Sequence, residues 1–174
     1  VSDAGPLIHL AQINKLQILE KLFKRVLISQ GVKREVVDEG IKLGHSDAVT
    51  VKEAIDKGWI MIEKLTREEL LAAKRLAKGE NISQSDAETL ILAKKKEARN
   101  VLVDEKILSH LAKMFGFTVW NTWTIMLEAL SKRLIEISDI KLAIKELGKN
   151  RHKLKAKQAE EILEAAERIV SNRK

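Results

Sequence analysis

The residues best placed to do chemistry are acidic. Asp3 follows Val1-Ser2 and stands directly before a helical apolar pattern, Asp104 ends the apolar run Val101-Leu-Val103, and Asn121 with Thr122 follows Phe117-Thr-Val119 and Trp120. If those runs are strands of one parallel sheet, these polar residues share its carboxyl edge, where such sheets form their sites. Two further acids can join them from helices: Glu35, about one turn after Gly31, and Asp86, at the start of a helix with part of its side chain beside an apolar stripe. Carboxylates crowded into a small volume repel one another, and a buried group of them takes up protons unless a cation neutralises it. The chain has no cysteine, so the ligands are hard oxygens, which favour Mg²⁺ or Mn²⁺. The same repulsion implies that Asp104→Asn should stabilise the metal-free protein or leave it unchanged.

Each acid also has an ordinary explanation. Asp3 can be a helix N-cap, Asp86 a first-turn acid favoured by the helix dipole, and Glu35 one more charge on a solvated face. Their joint placement is what points to a site. Other chemistries find less support. His9, His45, His110 and His152 are dispersed with no HExxH spacing, GxSxG is absent, and so is GxxxxGK[ST]. Zinc hydrolysis, a Ser/His/Asp triad on a nucleophile elbow and a P-loop nucleotidase are therefore not expected.

The elements that must position these acids are read from periodicity and punctuation. Apolar residues at helical spacing predict a helix over Leu7–Leu22, after the break at Gly5-Pro6. Arg25–Ser29 reads as a buried strand, followed by a helix from Gly31 to Gly40 or Gly44. A helix over Asp47–Lys57 stops at Gly58, and Trp59–Glu63 is of β type. Thr66 with Glu69 predicts a capping box for a helix through Ala77, and Ser85 with Glu88 predicts the same for a helix through Lys96. Strands over Val101–Val103 and Phe117–Val119 flank a helix over Leu108–Phe115. Helices over about Thr124–Arg133, Ser138–Leu147 and Lys157–Val170 complete the chain. The alternation predicts an α/β fold, with a mostly parallel sheet flanked by helices and a C-terminal helical extension.

At 174 residues, 45% hydrophobic and 33% charged, the chain has material for one sizeable core and is too apolar to be disordered. The expected division is a catalytic domain over 1–135 and a basic helical extension over 136–174. No apolar run approaches the roughly 18 residues that span a bilayer, and no signal-peptide pattern opens the chain, so a soluble cytoplasmic protein is expected, without a membrane partner. The net charge of +7 favours polyanions. Residues 141–174 carry ten basic and five acidic residues, hence five of the seven excess charges. At the centre of this segment Lys149, Arg151, Lys153, Lys155 and Lys157 form a run without an acid: a solvated loop or a phosphate-contacting patch. Aromatic residues make up only 3% and there is no Tyr, which disfavours a base-stacking platform. Abundant Lys, Glu, Ile and Leu without Cys resembles hyperthermophile usage.

The segments SDAGPLIHLAQI, VLISQGVKREVV, SDAETLILAKKKEARNVLVDEKILSHLAKMFG and VWNTWTIMLEAL resemble PIN-domain proteins of the prokaryotic group close to VapC toxins, over Val1 to about Leu147. Each motif alone is weak, but the ordered set is fairly specific. The resemblance implies a nuclease that holds Mg²⁺ or Mn²⁺ on acids and cleaves RNA. It places the family acids on Asp3, Glu35, Asp86 and Asp104, with Glu105 as a further metal ligand and Glu88, Asn121 and Thr122 as secondary candidates. A toxin would have an antitoxin partner, and many PIN proteins self-associate, with Leu7, Leu10 and Leu43 as candidate contact residues. Relatives often carry Gly-Arg after the acid pair, where this chain has KILSHLA, so a basic contact is lost or moved. Only Val1 and Ser2 precede Asp3, so further residues before Val1 are expected. The rival readings are a non-catalytic PIN-fold module that binds RNA or protein, and a receiver-like phosphoacceptor, which would need a pair of acids before Asp3, missing here, and a Lys after the last strand.

Overall fold

The computed structural model describes residues 1–149 and 154–172. Helix α1 (Ala4–Gln12) is followed by α2 (Gln17–Phe23) and strand β1 (Val26–Ser29). The expected single helix over Leu7–Leu22 is thus two. Asn14 takes the left-handed conformation at φ 54°, and the Asn14 and Lys15 amides turn back to Ala11 and Leu10 carbonyls, an arrangement Asn tolerates better than most residues. After β1 the chain enters α3 (Gln30–Lys33), passes through a π-helical stretch (Arg34–Glu39) and ends in a last turn, α4 (Gly40–Lys42). Gly40 lets this helix lie against α5 (Ser46–Asp56), since a Cβ there would stand 2.6 Å from the Ala48 Cβ.

Strand β2 (Ile60–Glu63), α6 (Arg67–Glu80), α7 (Gln84–Lys95), β3 (Asn100–Leu102), α8 (Lys106–Met114), β4 (Thr118–Trp120) and α9 (Thr122–Ser131) follow in order. The Thr66–Glu69 capping box opens α6 as expected. At α7 the cap is Ser83 rather than Ser85, a shift that matters at the site.

The strands make two parallel ladders, β1 with β2 and β3 with β4. Residues Val1–Asp3 join them. The Ser2 amide donates to the Leu27 carbonyl at 2.9 Å on one side, while Leu102 donates to Val1 and Asp3 to Leu102, both at 2.9 Å, on the other. The order across the molecule is therefore β2, β1, the N-terminal segment, β3, β4, with Ser2 and Leu102 bridged in parallel sense. Helices pack around it. The main core gathers Leu7, Leu10, Leu19, Ile28, Val32, Ile60, Ile125 and Met126, and a smaller cluster of Leu90, Val101, Val103, Leu108 and Leu111 fills the space around β3 and α8. Burial of such side chains contributes about 1.5–3 kcal/mol each before entropy is counted.

Helices α10 (Ile137–Lys149) and α11 (Ala156–Ser171) do not hang free. Ile140, Ala143, Leu147 and Ala166 are buried in the main core, so the C-terminal segment is packed onto the rest of the fold. Among the expected contact residues, Leu7 and Leu10 are fully buried and offer nothing to a partner, whereas Leu43 is 75% exposed. No helix among the described residues is long and apolar enough to cross a membrane.

Candidate active site

Asp3 leaves the central segment and caps α1 in an extended conformation, its Oδ2 accepting the Gly5 amide at a long 3.5 Å. The residue is 5% exposed, and its Oδ1 is buried with no hydrogen-bond partner among the described residues. Burial first, and then the charges of Asp86 and Glu35, raise the carboxyl to about 7, against the Ala4 and Gly5 amides that lower it. A carboxylate with an empty acceptor, in the field of two others, is an unsatisfied anion awaiting a proton or a cation.

Those two acids come from α7 and the π-helical stretch. Asp86 is the N3 residue of α7. Its carboxylate accepts the Ser83 amide at 3.1 Å while its own amide donates to Ser83 Oγ at 3.0 Å. Because Ser83 is the cap, Ser85 is released from that role and donates its hydroxyl to Glu35 Oε2 at 2.9 Å. Glu35 stands in the first turn of the π-helical stretch, a distortion that recurs at functional sites. Glu88, two residues after Asp86, goes elsewhere: it is 2% exposed and accepts the Gly31 backbone amide at 2.9 Å and the Gln84 side-chain Nε2 at 3.3 Å. A Cβ on Gly31 would meet Glu88 Oε2 at 2.5 Å, so any larger residue there must push the Glu88 carboxylate off the Gly31 amide.

Asp104 is committed differently. Oδ1 accepts the Thr122 amide at 2.7 Å, and Oδ2 accepts the Thr122 hydroxyl at 2.7 Å and faces His9 Nδ1 at 2.6 Å. Burial alone would raise this carboxyl, but the hydrogen bonds from His9 and Thr122 and the His9 charge outweigh it and hold the group below its ordinary value. The carboxylate fits because the neighbouring position is Gly5, where a Cβ would lie 3.1 Å from Asp104 Cβ. Gly5 also donates to Asp3, so the two aspartates flank one residue.

The structure thus brings Asp3, Glu35 and Asp86 into one electrostatic group, with Asp104 beside it across Gly5. It does not draw the four carboxylates into a ready ligand set: among the described residues, no group of three or more His, Asp or Glu side chains is arranged to hold a metal ion. Glu105, expected as a ligand, caps α8 through a 2.7 Å bond from the Leu108 amide. Asn121 caps α9 in a reciprocal pair with Thr124, and Thr122 serves Asp104. In the basic run, Lys149 pairs with Glu146 at 2.8 Å and Lys157 lies 4.0 Å from Glu161. Lys155 precedes α11 as its N-cap residue, and Arg151 and Lys153 fall outside the described residues. Sequence reasoning missed His9, which it counted as a dispersed histidine. A signal was present: Gly5 and His9 are four apart and share a face of α1, so the gap left by the glycine and the ring of the histidine meet the same neighbour.

No curated protein and no solved structure matches the chain. One family matches over residues 1–168, and its description is PIN domain. With that match covering nearly the whole sequence, and with Asp3, Glu35 and Asp86 set in one field at the carboxyl side of a parallel sheet, the chain belongs to the PIN-domain family.

Proposed function

We propose that the protein is an endoribonuclease that depends on Mg²⁺ or Mn²⁺, with Asp3 at the centre of its site. The observation that carries this reading is the buried Oδ1 of Asp3, which has no partner among the described residues while burial, Asp86 and Glu35 raise the proton affinity of its carboxyl. The donor set is all oxygen, which suits a hard divalent cation. Asp3 would hold it, joined by Asp86 and Glu35 once their bonds to the Ser83 amide and the Ser85 hydroxyl exchange for the ion. When bound, the cation supplies positive charge that activates a water for attack on phosphorus and stabilises the departing oxygen. The chain's own residues do the rest. Asp104 orients the His9 ring and is fixed by both donors of Thr122. Its lowered proton affinity keeps it charged at neutral pH, so it adds negative field beside Asp3. The basic residues Lys149, Arg151, Lys153, Lys155 and Lys157 provide backbone-phosphate contacts. An antitoxin partner would lie over the acids with a basic side chain.

Labelled single-stranded RNA incubated with the purified chain in EDTA, Mg²⁺ or Mn²⁺ tests the reading. Cleavage is expected only with metal, with 5′-phosphate products, and is expected to disappear in Asp3→Asn. A second reading, a PIN-fold module that binds RNA without cutting it, is favoured by the lack of a ready ligand group among the described residues. Salt-sensitive RNA binding with no cleavage in either metal would select it.

A further inference from the structure

We infer that the cavity beyond the ends of β1 and β2, between α3, α6 and α7, is a nucleobase pocket that prefers guanine, an inference that rests on the ribonuclease reading of the neighbouring acids. The cavity holds about 270 Å³ and is lined by Gln30, Lys64, Leu65, Leu70 and Glu88. Gln30 and Lys64 directly follow β1 and β2, so it opens on the carboxyl side of the sheet, the side that carries Asp3 and Asp104.

Its place beside the acids follows from two contacts between helices. Ser85 reaches Glu35, and Glu88 reaches Gly31. Residues 85 and 88 are three apart on α7, and 31 and 35 are four apart on the facing helix, so the contacts lie one helical turn, roughly 5 Å, from each other. A base seated over Glu88 would therefore belong to a nucleotide adjoining a phosphate held at the acids.

The lining selects the base. Leu65 and Leu70 give apolar walls suited to the faces of a flat ring. Glu88 gives a carboxylate whose described partners are the Gly31 and Gln84 amides, two neutral donors. An ionised carboxylate accepts at about four positions, so two remain, and it rejects an acceptor. Guanine presents two adjacent donors, N1–H and the N2 amino group, on its pairing edge. Its O6 and N7 acceptors suit a Lys64 ammonium or a Gln30 amide. Adenine and the pyrimidines each set an acceptor against Glu88 or offer only one donor group to it. The wall carrying Lys64 and Leu65 is held in place, since Lys95 donates to the Lys64 carbonyl at 3.1 Å and to Glu69 at 2.8 Å.

The test uses the full chain. In EDTA, GMP, AMP, CMP and UMP are titrated while backbone amide resonances are followed by NMR. GMP is expected to shift Gln30, Gly31, Lys64 and Leu65 and to bind at least about tenfold tighter than the other three, as expected for a two-point base contact. Glu88→Gln keeps an acceptor for the Gly31 amide and should remove the preference; Lys64→Ala and Gln30→Ala, on the exposed rim, should each weaken GMP binding in a protein that stays folded. RNAs differing at one nucleotide are then cleaved in Mn²⁺, and cutting next to G should be favoured by a similar factor. Equal binding of the four nucleotides, shifts confined to other residues, or a preference that survives Glu88→Gln would overturn the pocket. Cleavage without base preference would sink it while sparing the nuclease reading. GMP shifts at the pocket with no cleavage in any metal would sink the nuclease reading instead.

Discussion

Asp3→Asn should make the metal-free protein more stable at pH 8 and leave it nearly unchanged at pH 4. The Asp3 carboxyl rises from 3.8 to about 7, chiefly through burial and then through Asp86 and Glu35. A raised acid favours the native state in its protonated form, so its contribution is fully present below pH 3.8 and is lost as the pH rises through about 7. A rise from 3.8 to about 7 sets a ceiling of about 4 kcal/mol for the burden of the ionised group, and water entry and local relaxation bring the expected gain to about 1–4 kcal/mol. For a chain of this size that is a rise in Tm of roughly 3–12 °C. Asn keeps the capping ability that Asp3 uses at the start of α1, so the comparison isolates charge. Urea unfolding in EDTA across pH 4–8 is the assay, with the two stability curves expected to separate as the pH approaches 7. A second arm adds Mn²⁺ at pH 8, where the parent should gain stability and Asp3→Asn should gain much less. If Asp3→Asn is less stable than the parent at pH 8 in EDTA, the idea of an uncompensated buried carboxylate is wrong.

Asp104→Asn should behave in the opposite sense for stability, losing about 1–3 kcal/mol because an amide cannot accept from His9 and both Thr122 donors as a carboxylate does; chemical denaturation at pH 7 reads this. Since the Asp104 carboxyl lies below its ordinary value, its contribution is present above the unfolded pKa and fades as the pH falls through the folded one, so the variant and the parent should converge in acid. The same variant should lower metal-dependent cleavage by at least about 100-fold, the scale of one lost electrostatic contact, as measured by initial rates on labelled RNA. Gly31→Ala should cost about 1–3 kcal/mol through the clash with Glu88, visible as a lower urea midpoint. Lys153→Ala should weaken RNA binding modestly and flatten its salt dependence by close to one ion, without changing cleavage at saturating RNA.

The loss of stability expected for Asp104→Asn runs against the expectation from sequence alone, for a reason visible in the contacts of Asp104. Converging carboxylates repel, but Asp104 does not point its free valence at the others; His9 and Thr122 take it. The His9–Asp104 pairing spans 95 residues, beyond the reach of any periodicity. Strands were legible because short apolar runs sit between helices: β1, β2, β3 and β4 each fall within one residue of their expected place. The acids at strand ends were legible for the same reason. What periodicity could not show was side-chain commitment. Ser85 and Ser83 are equally good caps by type, yet choosing Ser83 frees Ser85 for Glu35. Glu105 and Asn121 look like site residues by position and act as helix caps, a use for which short polar side chains at a helix start are always in competition. The Leu7–Leu22 helix failed at Asn14, where a left-handed turn overrides an apolar pattern that continues past it.

The central segment has a consequence for time as well as for place. Ladders β1–β2 and β3–β4 each close within a modest stretch of chain, 26 to 63 and 100 to 120, and can form independently. The seam between them cannot, because Asp3 binds Leu102 across about a hundred residues, and such distant contacts pay their loop-closure entropy late in folding. Asp3 reaches its buried position only when the seam closes. The acidic site is then expected to be the last part of the sheet to assemble, and late protection of the Asp3 and Leu102 amides in pulsed deuterium exchange during refolding would show it.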